Sequence, residues 1–138
     1  MAGDCIVTDL DRWPIVVHRT LGAPPDHEVD AFLQRANGIM RRREKHVVVF
    51  DSLLAGVPSA YMRSRCIAWL RENRPGLDAY CVGTGLVFRS PALRFVMSGV
   101  MLAQWHTTPH RVCASLEEAV VWARRQLPET AAGAATRP

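Results

Sequence analysis

The sequence predicts an α/β fold: one domain with a mixed, mostly parallel sheet of about five strands and about four helices. Short segments rich in β-branched residues alternate along the chain with longer segments whose apolar residues recur at helical spacing. The run 46–50 is continuously apolar, which is typical of a parallel strand covered on both faces. Parallel strands of this kind are joined by right-handed crossovers through helices.

The N-terminal part predicts a strand pair followed by a helix. Residues 5–8 and 15–18 are rich in β-forming residues, and a turn-like cluster separates them. Glycine and proline at 22–25 then break the chain, and Asp26 is the candidate N-cap of a helix that reaches Arg42. The apolar residues of this helix recur at helical spacing: Val29, Phe32, Leu33, Ala36, Ile39 and Met40.

A second helix is predicted to begin at Ser59 and to end at residues 73–76, where Asn, Arg, Pro and Gly follow one another. The residues on its apolar face are Met62, Cys66, Trp69 and Leu70. The next strand covers residues 80–88 and is apolar apart from a Gly-Thr-Gly sequence at 83–85. Glycines inside a strand mark a bulge or the close approach of another element.

The C-terminal part predicts a third helix, a short strand and a last helix. Ser-Pro at 90–91 starts the third helix, which runs to about Trp105. The strand covers residues 110–114, and Ser115 with Glu118 forms a capping box for the last helix. That helix is predicted to turn these residues inward, with Trp122 on its flank: Leu116, Ala119, Val120, Ala123 and Leu127.

The domain is predicted to span residues 1–128, and residues 129–138, rich in Ala, Gly and Thr, to form a disordered tail. No segment is long and apolar enough to span a membrane, and the N-terminus carries acids where a secretion signal needs basic residues. A cytoplasmic location is therefore expected. The four cysteines lie far apart in apolar surroundings, so we expect reduced core residues.

The net charge of +4 includes one basic run, at residues 41–45. Such a run can contact the phosphates of nucleic acid or an anionic membrane. Its place at the end of a predicted helix favours another role, because basic side chains there meet the negative end of the helix dipole. Aromatic interleaving and zinc-finger spacing are both missing from the sequence, so no nucleic-acid partner is predicted.

The sequence predicts no catalytic residue, no metal and no cofactor. His106, His110 and Cys113 have a spacing that suggests zinc, but Pro109 interrupts the helix on which the histidines would converge. Asp51 is expected to accept a hydrogen bond from a following backbone N–H in an Asx-type turn. A cysteine nucleophile is not favoured, because the cysteines of the predicted strands lie in apolar surroundings.

The third helix has apolar residues almost all round, whereas a helix on one sheet face needs them on one side only. Its outer side could be covered by the last helix, a second copy of the chain, a partner protein or an acyl chain. Methionines suit an adaptable apolar surface, and a symmetric dimer is the commonest assembly. We expect a partner-binding surface built on these residues: Phe95, Met97, Met101 and Trp105.

Taken in order, several segments resemble the bacterial STAS-like domains of the SpoIIAA-like superfamily. They are HVVVFD, AWLRENRP, YCVGTGLVF with the following SPALR, and HRVCASLEEAVVWARRQL. The resemblance covers about residues 4–127, nearly the whole predicted domain. It implies a sheet backed by helices, no catalysis, and signalling through protein contacts or, in some relatives, binding of a lipid or nucleotide.

The resemblance also points to Ser59. In the anti-sigma-factor antagonists of this superfamily a strand ends in aspartate, and a serine at the start of the next helix is phosphorylated by a partner kinase. Asp51 and Ser59 match these positions, although Pro58 replaces the hydroxyl or acidic neighbour and the following glycine is absent. Ser59 is thus a possible phosphoacceptor, while a helix N-cap is the simpler role.

The expected function is a non-catalytic regulatory or interaction module that docks a protein partner or a second subunit through the apolar helix surface. The alternative is a protein that binds a lipid or small apolar ligand beneath the same helix. A phosphorylation-switched antagonist or a metal-dependent enzyme is less favoured by the residues present.

Overall fold

The computed structural model describes residues 5–92, 94–95 and 108–128. These ranges contain five strands and four complete helices. The strands are β1 (Ile6–Asp9), β2 (Ile15–Gly22), β3 (His46–Ala55), β4 (Cys81–Val87) and β5 (His110–Cys113). The helices are α1 (Asp26–Arg41), α2 (Ala60–Glu72), α3 (Arg74–Tyr80) and α4 (Leu116–Gln126).

The five strands form one sheet in chain order, β1-β2-β3-β4-β5. The first pair is antiparallel, and the remaining neighbours are parallel. Because every parallel connection steps to the next strand in the same direction, right-handed crossovers bring α1 and α2 to one face. The last helix, α4, packs on the opposite face. The predicted mixed, mostly parallel α/β fold is confirmed.

Strand β3 lies in the middle of the sheet and is covered on both faces. Val47 and Val49 belong to the core beneath α4, whereas Val48 and Phe50 face α1 and α2. This alternation explains why the strand is apolar at every position rather than at every second one. The core is therefore divided by the sheet into an α4 side and an α1/α2 side.

Helix α4 approaches the sheet closely because small residues meet there. Ala119 and Ala123 are fully buried in the core beneath α4. A Cβ at Gly85 of β4 would lie 3.7 Å from the Ala119 Cβ, and one at Gly83 would lie 3.3 Å from Trp122 and Gln126. The predicted inward face of this helix is confirmed. Its N-terminus is capped by Ser115, whose Oγ accepts from the Glu118 N–H at 3.1 Å. The Glu118 carboxylate accepts in turn from the backbone N–H of Ala114, not from the capping residue itself.

Two strands are longer than predicted. Strand β2 continues to Gly22 and β3 to Ala55, and these two residues still pair. The prediction that β3 ends at Asp51 was wrong, because its pairing with β2 continues to Ala55 through a register shift that follows Arg19. This register shift lies beside the polar residues Asp51 and Ser52 of a strand that is otherwise mostly apolar.

The predicted break at residues 73–76 is instead the start of helix α3. Pro75 lies in the first turn of that helix, where a missing N–H costs no hydrogen bond. At the start of α1 the N-cap is Pro25 rather than Asp26, which lies in the first turn near the positive end of the helix dipole.

The start of the predicted third helix is present: residues 91, 92, 94 and 95 are helical. The backbone N–H of Arg94 donates to the Ser90 carbonyl at 2.9 Å, as expected for a helix that begins after Ser90. The rest of that helix and the predicted tail at 129–138 lie outside the described residues.

Among the helices described, none is long and apolar enough to cross a membrane. Each of the four cysteines has a free thiol. Cys81 and Cys113 are buried as predicted, while Cys5 and Cys66 are only half-buried.

Candidate ligand cavity

A cavity of about 350 Å³ lies between the sheet and the helices α1 and α2. The strands β1 to β4 form its floor, α1 and α2 form its walls, and one residue of α3 closes its end. The residues of the sheet that line it are Ile6, His18, Thr20, His46, Val48, Phe50, Ser52, Cys81, Thr84 and Leu86. Those of the helices and loops are Phe32, Leu33, Ala36, Ile39, Met40, Pro58, Met62, Arg63, Cys66, Trp69, Leu70 and Leu77.

Most of this lining is aliphatic or aromatic. It consists of the alternate strand residues that do not face α4, together with the apolar stripes of α1 and α2. Helix α2 contributes large side chains, yet none of its residues is fully buried. Phe32 and Leu33 of α1, by contrast, are buried. The large side chains of α2 thus surround a space instead of filling a core.

His18 is a buried polar side chain of the cavity floor. It is 3% exposed. Its Nδ1 lies 3.0 Å from the Thr8 Oγ1. Phe32 meets the ring edge-on with centroids 4.8 Å apart, and Phe50 stacks on it at 5.5 Å. These contacts hold the imidazole in one orientation.

His18 is uncharged at neutral pH. The pKa of His18 is lowered from 6.5 to about 3, chiefly by burial and additionally by the electrostatic effect of Arg35 and His46. A buried imidazolium would need a carboxylate partner, and an apolar cavity supplies none.

His46 is a second neutral histidine of the cavity wall. Its Nδ1 donates to the Glu44 carbonyl oxygen at 2.8 Å, and Trp13 stacks on the ring with centroids 5.7 Å apart. Burial lowers the pKa of His46. Its Nε2 is buried and has no hydrogen-bond partner among the described residues.

Two residues of the basic run at 41–45 make side-chain contacts at this end of the molecule, although all five residues of the run are exposed. The Arg42 guanidinium lies 4.3 Å above the Trp13 ring, which in turn stacks on His46. The Arg43 Nε donates to the Tyr80 hydroxyl at 3.1 Å, and this bond raises the pKa of Arg43. Both contacts follow the end of α1, where the sequence predicted a structural role for these residues.

Ser59 caps α2. Its Oγ accepts from the Met62 N–H at 3.0 Å, which is the N-cap role that the sequence favoured. The neighbouring Pro58 lines the cavity, and its carbonyl accepts from the Arg63 guanidinium at 2.8 Å. Phosphorylation of Ser59 stays a prediction.

Asp51 is buried at 5% exposure, within β3. Its carboxylate accepts from the Leu53 N–H and from the Arg19 Nε, both at 3.3 Å. The predicted bond to Leu53 is therefore present, although it forms inside the strand and not in a turn. Asp51 is not among the residues of the cavity lining.

Of the predicted partner-binding surface, Phe95 is described and its side chain is 82% exposed. Met97, Met101 and Trp105 lie outside the described residues. The same holds for His106, so the suggested cluster of His106, His110 and Cys113 is not described as a unit. The described residues contain no group of three or more His, Cys, Asp or Glu side chains that could hold a metal ion.

Sequence reasoning missed the two cavity histidines. Both lie at the boundary of a β-branched run, in IVVH and in HVVVF, and both were included in apolar strands. A histidine embedded in an apolar strand is the signal that could have identified them, since a buried imidazole must find polar partners or remain neutral.

The fold and the site together define a class: an α/β protein with a mixed five-stranded sheet and an apolar cavity on its α1/α2 side. The structure is similar to the crystal structure of an uncharacterized protein of the DUF3478 family, with a SpoIIAA-like fold, from Shewanella loihica PV-4. The TM-score is 0.67 at 8% sequence identity, over 89% of this chain and 98% of that chain. No family model and no curated protein matches the sequence. The fold of this protein is SpoIIAA-like, as the sequence segments predicted.

Proposed function

We propose that the protein is a non-catalytic binding module that holds a small apolar molecule in the cavity between the sheet and the helices α1 and α2. The observation that carries this proposal is the cavity of about 350 Å³ with its largely apolar lining. Small-molecule sites commonly measure about 300–1000 Å³ and combine apolar walls with a few polar groups. Protein interiors otherwise leave few voids larger than a water molecule.

The chemistry of the described residues supports binding over catalysis. Burial raises the pKa of the Cys66 and Cys81 thiols, both of which line the cavity. A thiol of raised pKa is a poor nucleophile at neutral pH. Both cavity histidines are held by hydrogen bonds to structural partners, which suits a wall better than a proton shuttle.

Filling the cavity should abolish binding. A Cys66→Phe substitution on α2 places a ring in the space, and we expect the affinity for the apolar fluorescent probe phenylnaphthylamine to fall by roughly tenfold or more. The matched control is Ile67→Phe, which introduces the same ring at the adjacent position of α2, where the side chain is 49% exposed. Fluorescence titration and a thermal melt of each variant provide the measurement.

Equal probe affinity in the wild type and in folded Cys66→Phe would overturn the proposal, as would loss of binding in Ile67→Phe alone. Extraction of freshly purified wild-type protein with organic solvent, followed by mass spectrometry, tests the same proposal without a variant. A co-purifying apolar compound that is absent from Cys66→Phe preparations supports it.

A second function is favoured by Phe95. We propose that the helix surface predicted from the sequence, comprising Phe95, Met97, Met101 and Trp105, docks a protein partner or a second copy of the chain in a regulatory role. An aromatic side chain that is 82% exposed supports such a surface. This function and ligand binding are compatible, because the exposed ring of Phe95 is not part of the cavity lining.

A Phe95→Glu substitution should reduce self-association measured by light scattering, since it places a charge at the centre of an apolar contact. Replacing Met97 and Met101 together by glutamate is expected to have the same effect. Circular dichroism should remain native in both variants. The matched control is Val57→Glu, because Val57 is also 82% exposed but precedes α2. Association that survives Phe95→Glu, or is lost equally in Val57→Glu, would contradict a surface at this helix.

A further inference from the structure

The hydrogen bond between His46 and the backbone determines which of its ring nitrogens carries the proton. The His46 Nδ1 lies 2.8 Å from the Glu44 carbonyl oxygen. A carbonyl oxygen can only accept, so Nδ1 is the donor and carries the ring hydrogen. Burial lowers the pKa of His46, so the ring is neutral at neutral pH and Nε2 keeps a lone pair that can accept a hydrogen bond.

The His46 Nε2 is a buried acceptor on the cavity side of the sheet. The side chain is 1% exposed, and Nε2 has no hydrogen-bond partner among the described residues. Along β3, His46 alternates with Val47 and Val49 of the α4 side, and it lines the cavity as Val48 and Phe50 do. Nε2 lies farther along the side chain than Nδ1, so it extends from the strand toward the helices of that side.

The remaining contacts of the ring are made outside the cavity. Trp13 stacks on His46 with ring centroids 5.7 Å apart and 24° between the ring planes. Neither Trp13 nor Glu44 is part of the cavity lining. One face of the ring and its Nδ1 edge are therefore occupied by structural partners, which leaves the Nε2 edge for a bound molecule.

We propose that His46 Nε2 is the hydrogen-bond acceptor by which the cavity recognises its ligand, and that this ligand is an apolar compound with one neutral hydroxyl group, an alcohol or a phenol. This inference rests on the proposed binding function and names the class of ligand. A buried acceptor without a partner is unfavourable, and a hydroxyl hydrogen removes this cost where a plain hydrocarbon cannot. The lining includes the unbranched side chains of Met40 and Met62, which can change rotamer to admit a ligand atom.

The charges of the lining favour a neutral donor over an ammonium group. The lining residues described include no aspartate and no glutamate. An ammonium ion placed at His46 would therefore be buried against apolar walls without a paired carboxylate, which is costly. A carboxylate cannot donate to Nε2 at all. A hydroxyl group supplies the donor without a charge.

The test compares two probes of nearly equal shape: para-propylphenol, and para-propyltoluene, in which a methyl group replaces the hydroxyl. Both are titrated against bound phenylnaphthylamine in the wild type, in His46→Phe and in His27→Phe. His46→Phe keeps an aromatic ring beside Trp13 but has no acceptor. His27→Phe is the matched control, because His27 is exposed and is not part of the cavity lining.

In His46→Phe we expect the affinity for propylphenol, relative to that for propyltoluene, to fall by roughly tenfold, since the hydroxyl is then buried without its partner. His27→Phe should leave this ratio of affinities unchanged. The difference in hydration between the two probes cancels, because every variant is tested with the same pair.

A second measurement needs no variant. In wild-type protein with isotope-labelled histidine, the ring-nitrogen resonances of His46 should identify Nδ1 as protonated and Nε2 as unprotonated. The Nε2 resonance should move upfield when propylphenol binds, because the nitrogen then accepts a hydrogen bond, and should not do so when propyltoluene binds.

The outcomes separate this inference from the proposal on which it rests. If the affinity ratio is the same in the wild type and in folded His46→Phe, or if the Nε2 resonance does not respond to propylphenol, the role of His46 is overturned while apolar binding stands. If His46→Phe does not fold, the Nε2 resonance decides alone. If neither probe displaces phenylnaphthylamine from the wild type, the cavity is not a site for such molecules and both proposals fall.

Discussion

The free energy of unfolding should decrease by about 2 kcal/mol between about pH 8 and about pH 5, and His18 should account for most of this loss. The pKa of His18 is lowered to about 3 in the folded protein, with burial as the largest cause. In the unfolded chain the same side chain returns to its ordinary pKa of 6.5. Below that value the unfolded chain binds a proton that the folded protein does not, so protonation favours unfolding.

The direction in which stability changes with pH follows from the sign of the His18 pKa shift. Because the folded pKa is the lower one, stability is complete above pH 6.5 and is lost as the pH falls toward about 3. The groups that face His18 are Arg35 from α1, Thr8 from β1 and His46 from β3. The pKa of His46 is lowered by burial as well, so His46 contributes in the same direction.

Urea unfolding of the wild type and of His18→Phe across this pH range measures the effect. The variant should be less stable than the wild type at about pH 8, because the Thr8 hydroxyl loses its hydrogen-bond partner His18, at a cost of about 1 kcal/mol. Its stability should nevertheless change much less with pH. A wild-type slope that persists in His18→Phe would assign the pH dependence to other groups.

A Gly85→Leu substitution should destabilise the protein by about 3 kcal/mol or more, whereas Gly85→Ala should change stability by less than about 1 kcal/mol. A Cβ at this position would lie 3.5 Å from Val49 Cγ2 and 3.7 Å from Ala119 Cβ, which is ordinary contact. The further carbons of leucine would have to occupy the space held by α4. Alanine also lowers the conformational freedom that glycine brings to the unfolded chain.

Thermal or urea unfolding of both variants provides the measurement, and the alanine variant serves as the internal control. A Gly85→Leu protein as stable as the wild type would show that α4 can move away from β4 without loss. The close contact between β4 and α4 at Gly85 would then not be needed for stability.

Most of the fold could be predicted because its signals are local. The continuous apolar run of β3 indicated a strand covered on both faces, and Ser115 with Glu118 located the start of α4. The misplaced boundaries lie where tertiary pairing overrides local preference. Strand β3 extends past Asp51 because β2 continues beside it, and α3 has Pro75 in its first turn, where a proline is tolerated.

The candidate site was predicted in part only. The alternative of an apolar ligand came from the sequence, which placed its cavity beneath the third helix. The cavity found here lies under α1 and α2, and no described residue of the third helix lines it. A cavity depends on how closely two layers pack, and periodicity shows which side chains face inward but not the distance between the layers. For the same reason the hydrogen bond between Thr8 and His18 could not be expected from residues ten positions apart.

The two outer strands of the sheet restrict how another protein can bind. Each is four residues long, and the backbone carbonyl of Ile6 on β1 is already bonded to Arg35. Short or covered edges offer few free backbone groups to an incoming strand. Extension of this sheet by a peptide from a partner is therefore disfavoured, and recognition by another protein has to rely on side-chain surfaces.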